Sequence, residues 1–533
     1  MPEPTQAAAP RGVGRRMARN TAIFSIATGL SRIAGLVREV VAARYFGTTG
    51  PMSAFTLAFQ VPNLVRALFA DAALSAAFVP VFTELLEHKK RQEALQLAGA
   101  LFGLILAVLG VITVVFIALA GVIMPLFTGP EFTQALDDLT VGLSRVMFPI
   151  VIVLGLNGLL VGVLNAHDHF TIPALSPLVW NLVIIAGLVF LTPAFEGDEQ
   201  IYAYAIGVIG GTVCQFAMAF PVLRRLHIPI RVNFHWSDPR IKRILLLMLP
   251  VTIGLGLINF NLLINSILGS RISDQAPAAI DKAFRIYMLP QGMFSVAVAT
   301  VLFPTLSRFV ARQDFDGLRR TQANGIRQIA LLLIPAAAIT IVIPEPITRL
   351  VYERGAFDAE STNQTAEALF WFSFSLPFSG FNLLLTRTFF SLQKPWTPTA
   401  LAGVTLLINT GVSAALYGPL GIGGVVLGTV VATAAMTVGQ AFFLRRRIGG
   451  LQLMTTFRAT ARIIVAAVIL GGVTYGSWYL LDQALGRSFV AQLISVGGSI
   501  TLGTVAYAAV VLALRVPEAR QIVDLFARRF RRG

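Results

Sequence analysis

Residues 101–116 read LFGLILAVLGVITVVF, a stretch without a single charge and without alternation of apolar and polar side chains. It approaches the roughly 17–25 apolar residues that a helix needs to cross a bilayer. Residues 244–268 and 463–481 are equally uncharged and reach that length. Lipid offers the backbone no hydrogen-bonding partner, so a span must be a helix or a closed barrel, and a barrel strand would alternate with period two. Composition agrees, with 56% of the 533 residues hydrophobic and 13% charged, against about 25% charged in a soluble domain. Reading outward between polar breaks predicts spans near 21–45, 52–85, 95–127, 139–164, 171–192, 201–223, 244–269, 279–307, 328–343, 366–392, 399–417, 421–444, 461–481 and 490–514. The fold class expected is an all-α integral membrane protein of about fourteen transmembrane helices.

Charge gives the orientation. With the N-terminus inside, the inner tails and loops collect 30 of the 42 Lys and Arg and the outer loops 5, counting the span-edge residues Arg462 and Lys282 with their adjoining loops, and the rest lie within spans. Short cytoplasmic loops carry such a bias, so both termini are expected in the cytoplasm. The net charge of +16 is spread over every second loop instead of forming one patch, which argues against nucleic acid as a partner. Residues 1–20 read as a polar cytoplasmic tail. Residues 515–533 read as a basic one, either solvated or, over 519–532, a helix lying on anionic membrane lipids. The single cysteine, Cys214, excludes an intramolecular disulfide and a thiolate metal site.

The chain also repeats itself. Gly155-Leu156-Asn157 recurs as Gly380-Phe381-Asn382, and Pro173 as Pro398, each 225 residues on. Pro62 and Pro80 resemble Pro290 and Pro304 at offsets of 228 and 224. Span n therefore matches span n + 6, and an even shift implies two lobes of the same orientation. The expected organisation is an N-lobe over 21–223, a cytoplasmic linker over 224–243, a C-lobe over 244–444, and two additional helices within 461–514.

Setting aside Arg462 at the very edge of span 13, seven arginines fall inside the predicted spans: Arg32, Arg38, Arg44, Arg66, Arg145, Arg285 and Arg387. Each costs roughly 2.5–3.5 kcal/mol at a helix centre, so each should face protein or water. Snorkelling suits Arg44 and Arg387 at span ends, but Arg32 lies roughly 16 Å deep, and Arg66 comparably so. The acids available for pairing are Glu39 and Asp71, with Glu84 near the inner end. Two readings stand, structural ion pairs between lobes or a cationic cavity for an anionic ligand, and the planar guanidinium fork suits phosphate or pyrophosphate oxygens. A phosphorylated lipid head group is the ligand this implies. Pro62 in span 2 and Pro290 with Gly292 in span 8 mark kinks that give a hinge or room for that head group. Small residues at 158 and 162 and at 207 and 211 read as close helix packing.

Taken together, SRIAGLVR at 31–38, ARYFG at 43–47, FQVPNLVR at 59–66, AAFVP at 76–80, Gly292 with LFPTLS at 302–307, ERGAFD at 353–358 and RTFFSLQ at 387–393 before Pro398 resemble the MurJ/MviN lipid II flippases. These belong to the multidrug/oligosaccharidyl-lipid/polysaccharide exporter superfamily. The resemblance covers about residues 17–515. It implies a two-lobe fold in the bacterial cytoplasmic (inner) membrane that moves lipid II, the undecaprenyl-pyrophosphate-linked peptidoglycan precursor, through a cationic cavity by alternating access. The family's cavity arginines fall on Arg32, Arg38 and Arg285, and Arg66 takes the first place of a usual Arg pair. Ala67 stands where the second is expected, and Ser53 where an aspartate often opens span 2. Spans 13 and 14 resemble the part that forms a groove for the polyprenyl tail. Some members bind sodium on spans 7, 11 and 12, where the nearest matches here are Asn265, Asn409 and Thr429, and membrane potential is the alternative drive. The cell-wall synthesis machinery is a possible partner class.

Other functions have less behind them. A membrane enzyme needs a base, nucleophile or metal at the interface, and the one candidate cluster, His167-Asp168-His169, reads as a polar turn. None of the five lysines follows a glycine, so no phosphate loop for ATP exists. A drug or ion antiporter of the same superfamily would place carboxylates where arginines stand here. A non-transporting scaffold for cell-wall synthesis is the third reading.

Overall fold

The structure, a computed structural model, describes residues 11–69, 72–167, 169–229 and 231–520, with only the backbone described at 11–25, 68–69, 72–76, 250, 251 and 255. Asp71, Asp168, the first half of the N-terminal tail and the tail beyond residue 520 lie outside the described residues. Among these residues the regular structure is helical throughout. The elements are α1 (Arg11–Phe46), α2 (Gly50–Phe69), α3 (Ala72–Glu87), α4 (Arg91–Ile123), α5 (Gln134–Met147), α6 (Ile150–Ala166), α7 (Thr171–Leu191), α8 (Tyr202–Ala217), α9 (Ala219–Arg225), α10 (Pro239–Gly269), α11 (Ala276–Pro290), α12 (Val296–Ala311), α13 (Phe315–Val342), α14 (Pro344–Tyr352), α15 (Ala359–Ser391), α16 (Trp396–Ile448), α17 (Leu453–Leu485) and α18 (Phe489–Ala513).

Eleven helical segments among the described residues are long and apolar enough to cross a membrane, against the fourteen expected. The difference has identifiable sources. Spans 11 and 12 share the 53-residue α16, which turns at Gly421 through a left-handed backbone (φ 53°) that glycine adopts without steric cost. Spans 1 and 2, carried by α1 and by α2 with α3, are not among the eleven. Apolar side chains such as Val114 and Val122 of α4 and Val468 and Leu480 of α17 are exposed, as lipid-facing residues of a membrane protein must be.

The chain divides into two compact units, one comprising the chain to Ala42, Ala58–Leu126 and Gln134–Gly256, the other Ala43–Leu57, Phe127–Thr133 and the chain from Leu257. The internal repeat shows in how each unit packs. In the first, a methyl group on Gly155 of α6 would lie 2.4 Å from Leu109 Cδ1 and 3.1 Å from Ile105 Cγ2 of α4. In the second, one on Gly380 of α15 would lie 2.4 Å from Leu333 Cδ1 and 2.7 Å from Ile329 Cγ2 of α13. Glycine is needed in both places because two helices touch where its side chain would be. Span 8 is interrupted, with α11 ending at Pro290 and a π-helical turn over Gln291–Ser295 leading into α12. Gly207 and Gly211 of α8 sit against the backbone of α7 at Ile184 and Trp180, the packing role expected of them.

Within the segment 224–243, expected only as a linker, residues 231–238 lie on α4 as a strap. Asn233 N donates to Gly99 O (3.2 Å) and Asn233 Nδ2 to Gln96 O (2.9 Å). A methyl on Gly99 would stand 2.1 Å from Arg231 O, so the strap fits only over bare backbone. At its end Arg240 donates to both Asp238 and Glu93. Arg240 holds both carboxyls below the usual carboxylate range and is itself held further charged.

Candidate functional site

An arginine survives inside an apolar helix only if its charge is met there, and Arg38 shows how. Its Nη2 donates to Glu39 Oε1 at 2.5 Å and its Nη1 to Asn181 Oδ1 at 3.1 Å. The guanidinium carbon lies 4.8 Å from the centroid of the Trp180 ring, a cation–π distance. The side chains of Arg38 and Glu39 are only 11% and 6% exposed. The platform is itself fixed, since Trp180 Nε1 donates to Thr212 Oγ1. Asn181 Nδ2 donates to Pro177 O on its own helix and, at 3.4 Å, to Ser31 O on α1. One amide of α7 thus ties down α1 beside Arg32 and orients Arg38 two turns further on.

The other expected arginines are placed differently. Arg32 is exposed. Arg66 donates through Nε and Nη2 to Asn63 Oδ1, one turn back on α2. Both belong, with Arg38, to the first unit. Arg285 belongs to the second, where Nη2 donates to Asp281 Oδ1 at 3.1 Å across one turn of α11. Arg145 folds back to donate to Ile117 O of α4, and Arg387 stacks over Phe303 at 5.6 Å. Arg44, assigned to snorkelling, is exposed. Ser53, the departure from an expected aspartate, is fully buried and accepts from the Ala278 N–H in the first turn of α11. A hydroxyl there caps an orphan backbone donor without bringing a charge.

At the kink, Pro62 lies inside α2, which continues to Phe69, whereas Pro290 and Gly292 flank the π-turn of span 8. Ser295, the last residue of that turn, has a buried hydroxyl without a hydrogen-bond partner, beside the place where a methyl on Gly380 would come. Single π-turns of this kind recur at functional sites in helices.

The three residues matched to a sodium site do meet. Asn265 Nδ2 donates to Thr429 Oγ1 (2.9 Å), Asn409 Nδ2 to Asn265 Oδ1 (2.9 Å) and Thr429 Oγ1 to Asn409 Oδ1 (3.2 Å). Ser413 Oγ donates to Asn409 Oδ1 and to Val425 O.

A family model described as lipid II flippase MurJ matches residues 42–514. The chain belongs to the MurJ lipid II flippase family. It is 33% identical over 448 residues to a probable lipid II flippase MurJ of Rhizobium tropici, covering 83% of this chain and 84% of the relative. It is 31% identical over 458 residues to the lipid II flippase MurJ of Burkholderia cenocepacia, covering 84% and 87%. Among solved structures, a lipid II flippase MurJ in an inward closed conformation shares the fold with a TM-score of 0.77 at 24% identity, covering 92% of this chain and 98% of that one. An inward-facing multidrug-resistance MATE transporter shares it with a TM-score of 0.67 at 15% identity, covering 79% and 94%.

MurJ proteins are multi-pass membrane transporters and not enzymes, which settles the broad class. The amide–hydroxyl cluster does not fit a sodium site of the kind the family resemblance implied. Every oxygen in it accepts from a neighbouring amide or hydroxyl, and none belongs to a carboxylate. A hard cation takes several oxygens in place of its water, and here the amide and hydroxyl groups are turned toward one another. The sequence reading missed Asp281, although its four-residue spacing from Arg285 is a helical pairing signal. It also missed Trp180 and Asn181, which no local pattern joins to a residue some 140 positions earlier.

Proposed function

We propose that this MurJ protein flips lipid II across the bacterial inner membrane by alternating access, its pyrophosphate held by Arg32, Arg38, Arg66 and Arg285. The observation that carries the reading is the Arg38 constellation, a guanidinium kept charged and aimed inside an apolar helix by Glu39, Asn181 and Trp180. A cationic residue so held is ready for a pyrophosphate diester anion with little reorganisation on binding. Arg32 and Arg66 bring further charge from the unit that holds Arg38, and Arg285 is the arginine that the other unit contributes. Glu39 and Asp281 lower the net charge and leave a binding site weak enough to release its ligand. The π-turn after Pro290 is the element we assign to the hinge, and the exposed apolar faces of α17 and α18 to the polyprenyl tail. Both termini are placed in the cytoplasm on the loop charges. Membrane potential is the proposed drive, since moving one charge across 100 mV is worth about 2.3 kcal/mol.

The test is a binding titration of the purified chain with lipid II, with a neutral dolichol-type lipid and with a lipophilic cation. Tight binding of lipid II alone supports the assignment. Preference for the cation would point instead to an antiporter, and no discrimination among the three would remove the transport reading.

A further inference from the structure

On the face that the loop charges assign to the outside, the connection after α14 and the turn between α17 and α18 enclose a cavity of about 420 Å³, lined by Arg349, Glu353, Arg354, Arg487, Phe489 and Gln492. All six belong to the second unit. Basic residues are rare on this side. The sequence puts only five Lys and Arg there, and three of them line this one cavity.

Its single lining carboxylate is already engaged. Glu353 Oε2 accepts from Thr362 Oγ1 at 2.7 Å and lies 3.6 Å from Arg349 Nε. Arg349 is nine-tenths buried and pairs also with Glu345. The charges of Arg354 and Arg487 are left for whatever enters. Arg354 is laid flat, its guanidinium carbon 4.7 Å from the centroid of Phe489, with Nη2 donating to Leu350 O. Arg487 is exposed, and the turn that carries it is fixed by Gln492 Nε2 donating to its carbonyl and by Ser488 capping Ala491 N. The first turn of α18 holds no acidic residue, so its positive end adds to the attraction for an anion.

The surroundings decide between a dissolved anion and a lipid. Leu485, Phe489, Val490 and Leu493, on either side of Arg487 in the chain, are all exposed, and Phe489 carries the Arg354 guanidinium. A soluble phosphate has no use for such a border, whereas a lipid needs cationic forks for its phosphate and apolar surface for its chains. We propose that this cavity binds the phosphate of an anionic lipid head group in the outer leaflet, held by Arg354 and Arg487, with the acyl chains along the exposed start of α18. The proposal is independent of the flipping mechanism and takes only its leaflet from the orientation above.

The experiment is native mass spectrometry of the full chain released from micelles holding equal phosphatidylglycerol and phosphatidylcholine. Phosphatidylglycerol should be retained at least about tenfold better, the order of effect expected for charge-assisted bonds. Arg354→Gln with Arg487→Gln should bring it to the phosphatidylcholine level. The exposed Arg487→Gln alone should give an intermediate loss even if the double variant folds poorly, and Arg271→Gln, which does not line the cavity, should change nothing. Equal retention of the two lipids, or undiminished phosphatidylglycerol in both Arg487 variants, overturns the proposal. So does displacement by micromolar inorganic phosphate, which would make this a site for a free anion.

Discussion

Replacing Arg38 by alanine should destabilise the protein far more than a surface arginine would, and the structure says why. The change removes two hydrogen bonds to charged or amide oxygens and a cation–π contact, and it takes the Arg38 guanidinium away from Glu39, which is 5% exposed. Breaking a buried pair from one side costs about 3–5 kcal/mol, most of it the stranded charge and not the lost attraction. Glu39→Gln in the Arg38→Ala background should therefore recover most of the loss, because a neutral amide can stay buried with far less penalty. Trp180→Ala should cost about 1–2 kcal/mol through the cation–π contact, plus a packing loss. The assay is unfolding in mixed micelles titrated with dodecyl sulfate, followed by helical circular dichroism and arranged as a double-mutant cycle over Arg38 and Glu39. A parent-like Arg38→Ala, or an Arg38→Ala/Glu39→Gln double no more stable than Arg38→Ala, would refute the reasoning that Glu39 and Arg38 are held as a pair.

Other outcomes follow from single contacts. Gly99→Val puts a side chain where the Arg231 carbonyl stands, so trypsin should cut after Arg231 at least about tenfold faster, in keeping with a loss of about 1–3 kcal/mol of local stability; an unchanged rate means the strap does not need that glycine. Asp358 caps α15 by accepting from Ser361 N, and this bond holds its carboxyl below the usual carboxylate range. The stabilisation, about 1 kcal/mol for such a cap, should be full above an ordinary aspartate pKa and fade as pH falls through the lowered one, so Asp358→Ala should flatten the stability profile on the acid side of an ordinary aspartate pKa. In a Cys214→Ser background, a cysteine at 197–199 should react with an impermeant thiol reagent from outside and one at 89–91 should not; the reverse pattern inverts the orientation.

The helices were legible because lipid imposes a long uniform signal, and the repeat because Gly155 and Gly380 recur for a packing reason that the sequence preserves. The boundary between spans 11 and 12 was legible as well, since the polar break near 418–420 falls beside the non-helical Gly421, where the two helical halves of α16 meet. The site was legible where chemistry announces itself, in arginines inside apolar runs. What surrounds them was not. The Asp281 carboxylate sits at the edge of a span, where hydropathy assigns it to solvent. Trp180 and Asn181 reach Arg38 only through the packing of α7 on α1, and the strap on α4 depends on Gly99 having no side chain to hinder it. Asn265, Asn409 and Thr429 lie far apart in the sequence, and only the geometry reveals that they hydrogen-bond to one another.

The central claim is that intramembrane arginines hold the pyrophosphate of lipid II, and lipid II affinity measured beside flipping rate in cells depleted of their own flippase tests it most directly. Arg32→Ala and Arg285→Ala should each weaken binding about tenfold to a hundredfold, the loss of a charge-assisted contact of roughly 1.5–3 kcal/mol. Lysine at either position should restore only part of it, since a point charge replaces a fork, and Arg44→Ala should behave as the parent. If Arg32→Ala and Arg285→Ala both bind and flip lipid II as the parent does, the arginines belong to structural ion pairs and the cationic-cavity account is wrong.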